Sequence, residues 1–237
     1  MKFQELLHDV DIAAVRAAID AGQHIDLGPL QEEFAAKLAA LNIKPLNTDR
    51  NQRAVAFARG IPLATLFGQS YACADELTHL TRSLHDALYP DTPHLLEKGY
   101  THAAHCPPSK KMDIGPVPHT DGEGSRTPGI QVFYATDGPG VIMYEGGWHV
   151  LNQIDDIYAM QMRQTRGDAK EAARGVIDWF EGTTGLTHKR TRSGNFIVAP
   201  NGVVHSAPWL YGQARGATEN RKVYTVTASG FVPPTAG

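Results

Sequence analysis

Asn195-Phe196-Ile197-Val198-Ala199-Pro200-Asn201-Gly202-Val203-Val204-His205-Ser206-Ala207 reads as two short β-prone runs either side of a Pro-Asn-Gly turn. Asn and Gly tolerate the positive φ of a tight turn, so the two runs are expected to form a hairpin. Similar runs precede them at Tyr100–Ala104, Val117–Asp121, Ile130–Ala135, Val141–Tyr144 and Leu186–Thr191, and Lys222–Ser229 follows. Asp137-Gly138-Pro139-Gly140 offers a second hairpin turn. About eight short strands cut by Gly and Pro predict a sandwich or barrel.

Upstream the period changes. Ile12, Val15 and Ile19 recur at helical spacing, as do Leu30, Phe34, Leu38 and Leu41, and again Leu77, Leu80, Leu84 and Leu88 before Pro90. These stripes are expected to be core faces. Arg53–Phe67 is mixed and has room for a short strand. A second helical stretch, about 153–181 with a break near Gly167, interrupts the strands. The expected class is α+β, mainly β: one domain over 1–237, with a mainly helical buttress at 1–98 and a β core at 99–231. Trp148, in Gly146-Gly147-Trp148-His149, reads as a fold aromatic closing a hairpin.

Composition narrows the function. With 42% hydrophobic and 20% charged residues, the 237-residue chain can bury a proper core. It holds no apolar run of the ~20 residues a membrane span needs, and Met1–Asp11, without an apolar run ending in small residues, does not read as a secretion signal. Two cysteines are too few for a disulfide framework. A net charge of −3 without a basic cluster argues against nucleic acid. The expectation is a cytoplasmic enzyme acting on a small molecule.

The chemistry starts at Val117-Pro118-His119-Thr120-Asp121-Gly122. Side chains alternate along a strand, so His119 and Asp121 share a face and can grip neighbouring positions of one metal ion. His205, on a second predicted strand past a tight turn, supplies another nitrogen. Two histidines and one carboxylate form a facial triad, which leaves adjacent positions open for O₂ and a co-substrate. A closed four-ligand zinc site offers no such opening.

Through His119, Asp121, His205 and Arg221, the last in Asn220-Arg221-Lys222-Val223-Tyr224-Thr225, the chain resembles the Fe(II)- and 2-oxoglutarate-dependent dioxygenases. The resemblance covers about residues 99–231. It implies a double-stranded β-helix, or jelly roll, with N-terminal flanking helices and one helical insertion. It also implies Fe(II) held by His119, Asp121 and His205, with 2-oxoglutarate as co-substrate and O₂ as oxidant. Arg221 would pair its planar guanidinium with the distal carboxylate of 2-oxoglutarate. Thr225 lies on the same strand face, and Tyr100, alternating with His102, is the co-substrate candidate on the strand before His119. Arg215 is an alternative anchor, at a spacing from His205 that many family members show. Val223 stands where the common Arg-x-Ser pattern has its hydroxyl. Met112, Glu123 and Tyr134 flank the metal strands as pocket candidates. Two other readings stay open: a cupin-like metalloenzyme that does not use 2-oxoglutarate, and a non-enzymatic ligand-binding jelly roll.

Overall fold

The computed structural model describes residues 10–40, 72–92, 101–106, 117–120, 129–137, 140–206 and 221–229. Its elements, in order, are α1 (Ile12–Asp20), β1 (Ile25–Pro29), α2 (Glu32–Ala40), α3 (Ala72–Leu88), β2 (Thr101–Cys106), β3 (Gly129–Asp137) and β4 (Ile142–Tyr144). A 3₁₀ turn (Trp148–Gln153), α4 (Ile154–Gln164), α5 (Ala169–Thr184), β5 (Lys189–Arg190), β6 (Asn195–Pro200), β7 (Val204–Ser206) and β8 (Arg221–Ser229) follow. They build two antiparallel sheets, one in the order β1-β6-β3-β8-β2 and the other β5-β4-β7.

Strand alternation sorts the core into layers. Ile130, Val132 and Tyr134 of β3, with Phe196 and Val198 of β6, meet the buried stripes of α1, α2 and α3. The residues between them, Phe133, Ala135, Ile197 and Ala199, face the second sheet and pack on Val141, Met143 and Val203. The outer face of that sheet, Ile142, Tyr144 and Val204, is covered by the insertion through Ile154, Val176 and Phe180. The order is therefore helices, sheet, sheet, helices. It explains why β3 and β6 read as nearly continuous apolar runs: strands covered on both faces need no polar side.

Local chemistry ties the layers. The Asp11 side chain caps α1 by accepting from the Ala14 N–H at 3.1 Å. Arg16 on the same helix donates to the Leu88 carbonyl at 2.6 Å, and its guanidinium lies 4.3 Å from the centroid of the Tyr89 ring. A cation thus sits at the C-terminus of α3, where the orphan carbonyls attract it. On the other side, Glu181 of α5 accepts from the Tyr144 hydroxyl (2.9 Å) and from His188 Nδ1 (2.8 Å), fastening the insertion to β4.

Both expected hairpins are instead crossings between sheets. β3 lies in the larger sheet and β4 in the smaller; β6 and β7 are divided the same way. At Pro200–Val203 the Val203 N–H donates to the Pro200 carbonyl at 3.1 Å, and Gly202 has φ 78°. Positive φ at the third residue alone is the type II pattern, whose twist does not suit a two-residue hairpin. The turn is present, and it redirects the chain across the sandwich.

Other expectations change in detail. Leu186–Thr191 contributes only the two residues of β5. The N-terminal half holds a strand the helical periods hid: β1, an edge strand on β6 whose Asp26 accepts from the Asn195 amide. Trp148 is 71% exposed and starts the 3₁₀ turn, so it closes no hairpin. The insertion breaks where expected, at Arg166 and Gly167, both with positive φ. Arg53–Phe67 lies outside the described residues. No described helix is long and apolar enough to cross a membrane.

Two outcomes test this packing. A Cβ added at Gly140 would collide with the Thr191 backbone carbonyl. Thr191 has no room to retreat, because its N–H and its hydroxyl are both hydrogen-bonded to the backbone of Val141. Gly140→Ala should cost about 2 kcal/mol or more in denaturant unfolding. His24 is held below its ordinary pKa of 6.5, first by burial, against the raising effect of Glu145, with Lys189 lowering and Asp26 raising it. A histidine kept neutral in the folded chain binds protons more readily once unfolded. Its share of stability is full above 6.5 and is lost as pH falls below it. Thermal melts should show that loss, and His24→Asn should flatten it.

Candidate metal centre

His119 forms an isolated antiparallel bridge with His205 on the edge of β7. The two residues exchange both backbone hydrogen bonds, His119 N–H to His205 carbonyl at 3.0 Å and the reverse at 2.9 Å. Directly opposed residues of an antiparallel pair project their side chains to one face. The imidazole centroids accordingly stand 4.5 Å apart, tilted by 53°.

Each ring is oriented by the chain two residues upstream. His119 Nδ1 lies 2.7 Å from the Val117 carbonyl, and His205 Nδ1 lies 3.1 Å from the Val203 carbonyl. A carbonyl only accepts, so each Nδ1 carries the proton and each neutral ring keeps its lone pair on Nε2. Metal-binding histidines are held in this way, with the second ring nitrogen donating to a carbonyl. His205 is 5% exposed and His119 half-buried. The Phe133 ring meets His205 edge-on at 4.7 Å, and Met143 is the β4 partner of His205. Two matched nitrogen donors at the boundary of an apolar layer suit a transition metal that prefers imidazole.

Asp121 lies outside the described residues, and among those described no three His, Cys, Asp or Glu groups converge. Tyr100, Arg215, Met112 and Glu123 also lie outside them. Arg221 opens β8 opposite Cys106. Thr225 is buried on that strand, opposite both Phe133 of β3 and His102 of β2, so one row of paired residues runs beneath His205. Tyr134 is a correction: it packs in the core on the helical side, away from His205, where burial raises its pKa. Phe133, its neighbour, takes the expected place. Sequence reading passed over Phe133 and Met143; alternation along β3, counted from either core layer, separates Phe133 from Tyr134.

No protein-family model matches the chain, and no curated protein matches it by sequence. Solved structures do. The chain is similar to an N-substituted L-amino acid dioxygenase from Burkholderia ambifaria AMMD, with a TM-score of 0.50 and 16% identity over 92% of this chain and 87% of that one. The same dioxygenase in complex with α-ketoglutarate matches with a TM-score of 0.49 and 14% identity, again over 92% and 87%. EvdO2 from Micromonospora carbonacea var. aurantiaca, complexed with 2-oxoglutarate, matches with a TM-score of 0.48 and 15% identity over 98% and 96%. At such identities the likeness is one of fold.

The tautomers are directly measurable. Nitrogen-15 spectra of metal-free protein, above the pH at which imidazoles protonate, should show both His119 and His205 protonated at Nδ1. An Nε2–H signal for either would contradict the orientation described.

Proposed function

We propose that this chain is a non-haem Fe(II)- and 2-oxoglutarate-dependent dioxygenase built on a double-stranded β-helix, oxidising a small polar metabolite in the cytoplasm. The observation that carries the reading is the His119–His205 pair, two imidazoles locked by backbone carbonyls in the metal-binding tautomer. The path of the chain supports the architecture. From β2 onward, successive segments fall in the larger sheet, the smaller (the His119 bridge), the larger (β3), the smaller (β4 and β5), the larger (β6), the smaller (β7) and the larger (β8). Such passage between two facing sheets is how a jelly roll is wound. The dioxygenase from Burkholderia ambifaria shares the fold.

In this reading His119 and His205 give two nitrogens and Asp121 an oxygen, so the metal keeps open positions on one side. When bound, Fe(II) supplies O₂ activation coupled to decarboxylation of 2-oxoglutarate to succinate and CO₂, with oxidation of a substrate carbon. The chain's own part is orientation and exclusion of water. The two carbonyl-bound Nδ1 atoms fix the rings, and Phe133 and Met143 keep one side of the site apolar. Arg221 pairs with the distal carboxylate of 2-oxoglutarate, and Tyr100 and Thr225 line its path.

The test is metal content together with succinate formation. Wild-type protein loaded anaerobically should hold close to one equivalent of Fe(II) and release succinate from 2-oxoglutarate under air. Residues that merely orient a ligand are worth about 10–100-fold, so His119→Ala, Asp121→Ala and His205→Ala should each lose more than that along with the metal. A wild-type protein that binds no divalent metal would sink the proposal.

A further inference from the structure

We propose that Met143 is a self-oxidation site: when the centre turns over without substrate, the Met143 thioether takes the oxygen atom otherwise given to the substrate, and turnover stops. This rests on the function proposed above and adds its regulation. Met143 is the directly opposed partner of His205 across β4 and β7. Such partners project to one face, with Cβ atoms about 5 Å apart. Met143 packs in the inner layer with Phe133, whose ring meets His205 edge-on at 4.7 Å. Its neighbours Ile142 and Tyr144 instead pack under the insertion. The unbranched thioether, with its rotatable stem, therefore shares the inner face with the imidazole. A metal bound by His205 lies about 2 Å from the ring nitrogen, and Met143 is next to that histidine.

Chemistry singles this residue out within its layer. The other buried members of that cluster are aliphatic or, at Phe133, aromatic; Met143 alone among them carries sulfur. A leucine fills nearly the same volume, but only the thioether has a lone pair that accepts an oxygen atom to give the sulfoxide. The step balances without a further reductant. 2-Oxoglutarate loses CO₂ and supplies two electrons, and the thioether supplies the other two. One atom of O₂ enters the new succinate carboxylate, the other forms the S–O bond, and no proton is released. The product puts a polar S–O group into an apolar cluster, at a cost in free energy, beside the strand pairing that carries His205. Burial decides which oxidants reach the sulfur. Met143 is 0% exposed, whereas Met160 and Met162 of α4 are half-buried. Diffusible oxidants select by exposure and reach α4 first; an oxidant made at the centre starts from inside.

Peptide mass spectrometry of the full-length protein tests this. Wild type is loaded anaerobically with Fe(II) and 2-oxoglutarate, then exposed to heavy-isotope O₂ with catalase and no substrate. It should gain one labelled oxygen on Met143, with Met160 and Met162 labelled severalfold less. The label should require 2-oxoglutarate and rise in step with the loss of succinate formation. Met143→Leu should make severalfold more succinate before it stops. Succinate formed with Met143 unlabelled overturns the inference, as does label that favours Met160 and Met162 or goes to the Phe133 ring. A folded Met143→Leu that stops as early as wild type overturns it too; if that variant does not fold, the wild-type map decides alone. Wild type that binds Fe(II) and makes no succinate removes the co-substrate reading itself. Succinate without label on Met143 leaves that reading standing and removes only the self-oxidation.

Discussion

Strands β3 and β6 of the larger sheet are buried on both faces, and most of the architecture follows from that condition. One face needs the N-terminal helices; the other needs a second sheet. Among the described residues the second sheet shows three strands of two or three residues, with the His119 bridge beside β7. It is packed between the larger sheet and the insertion. The histidine pair is placed on this small inner sheet, at its junction with the larger one, where His205 is enclosed by Phe133 and the backbone of β7 is held by β4 on one side and His119 on the other.

How far this was legible in the sequence differs by level. The leucine and phenylalanine stripes of the N-terminal helices were plain, because a 3.6-residue period sustained over two or three turns is the mark of a helix with one buried face. Most strands were legible as short β-prone runs with boundaries shifted by a residue or two, but Leu186–Thr191 shrank to the two residues of β5 and the described part of Val117–Asp121 makes only the His119 bridge. Their pairing was not legible. Pro200-Asn201-Gly202 announces a turn, but the composition of a turn does not say whether the next strand pairs with the last or crosses to a facing sheet. β1 was hidden for another reason: five residues interrupted by Gly28 and ended by Pro29 carry too little alternation, and the strand is specified by its pairing with β6.

The site divides in the same way. His119 and His205 could be paired in advance because each sits in a β context with a recognisable neighbour, and the structure adds what no spacing contains, the carbonyls that orient their rings. Phe133 was misassigned to Tyr134 by a single position. Along a strand that one-residue difference exchanges the interior of the sandwich for the helical side, so a guess based on proximity in sequence has even odds of facing the wrong layer.

The insertion has the remaining consequence. Phe180 packs edge-on to Tyr144 at 4.9 Å, Tyr144 is paired with Val204, and Val204 immediately precedes His205. The α4–α5 pair is therefore the back wall of the histidine strand, although its residues are far from the paired imidazoles in sequence. A chain that varied this segment freely would be altering the firmness with which His205 is held. Relatives that differ in the insertion should be compared first by how they fill the space behind β7, and only then by what surrounds the rings.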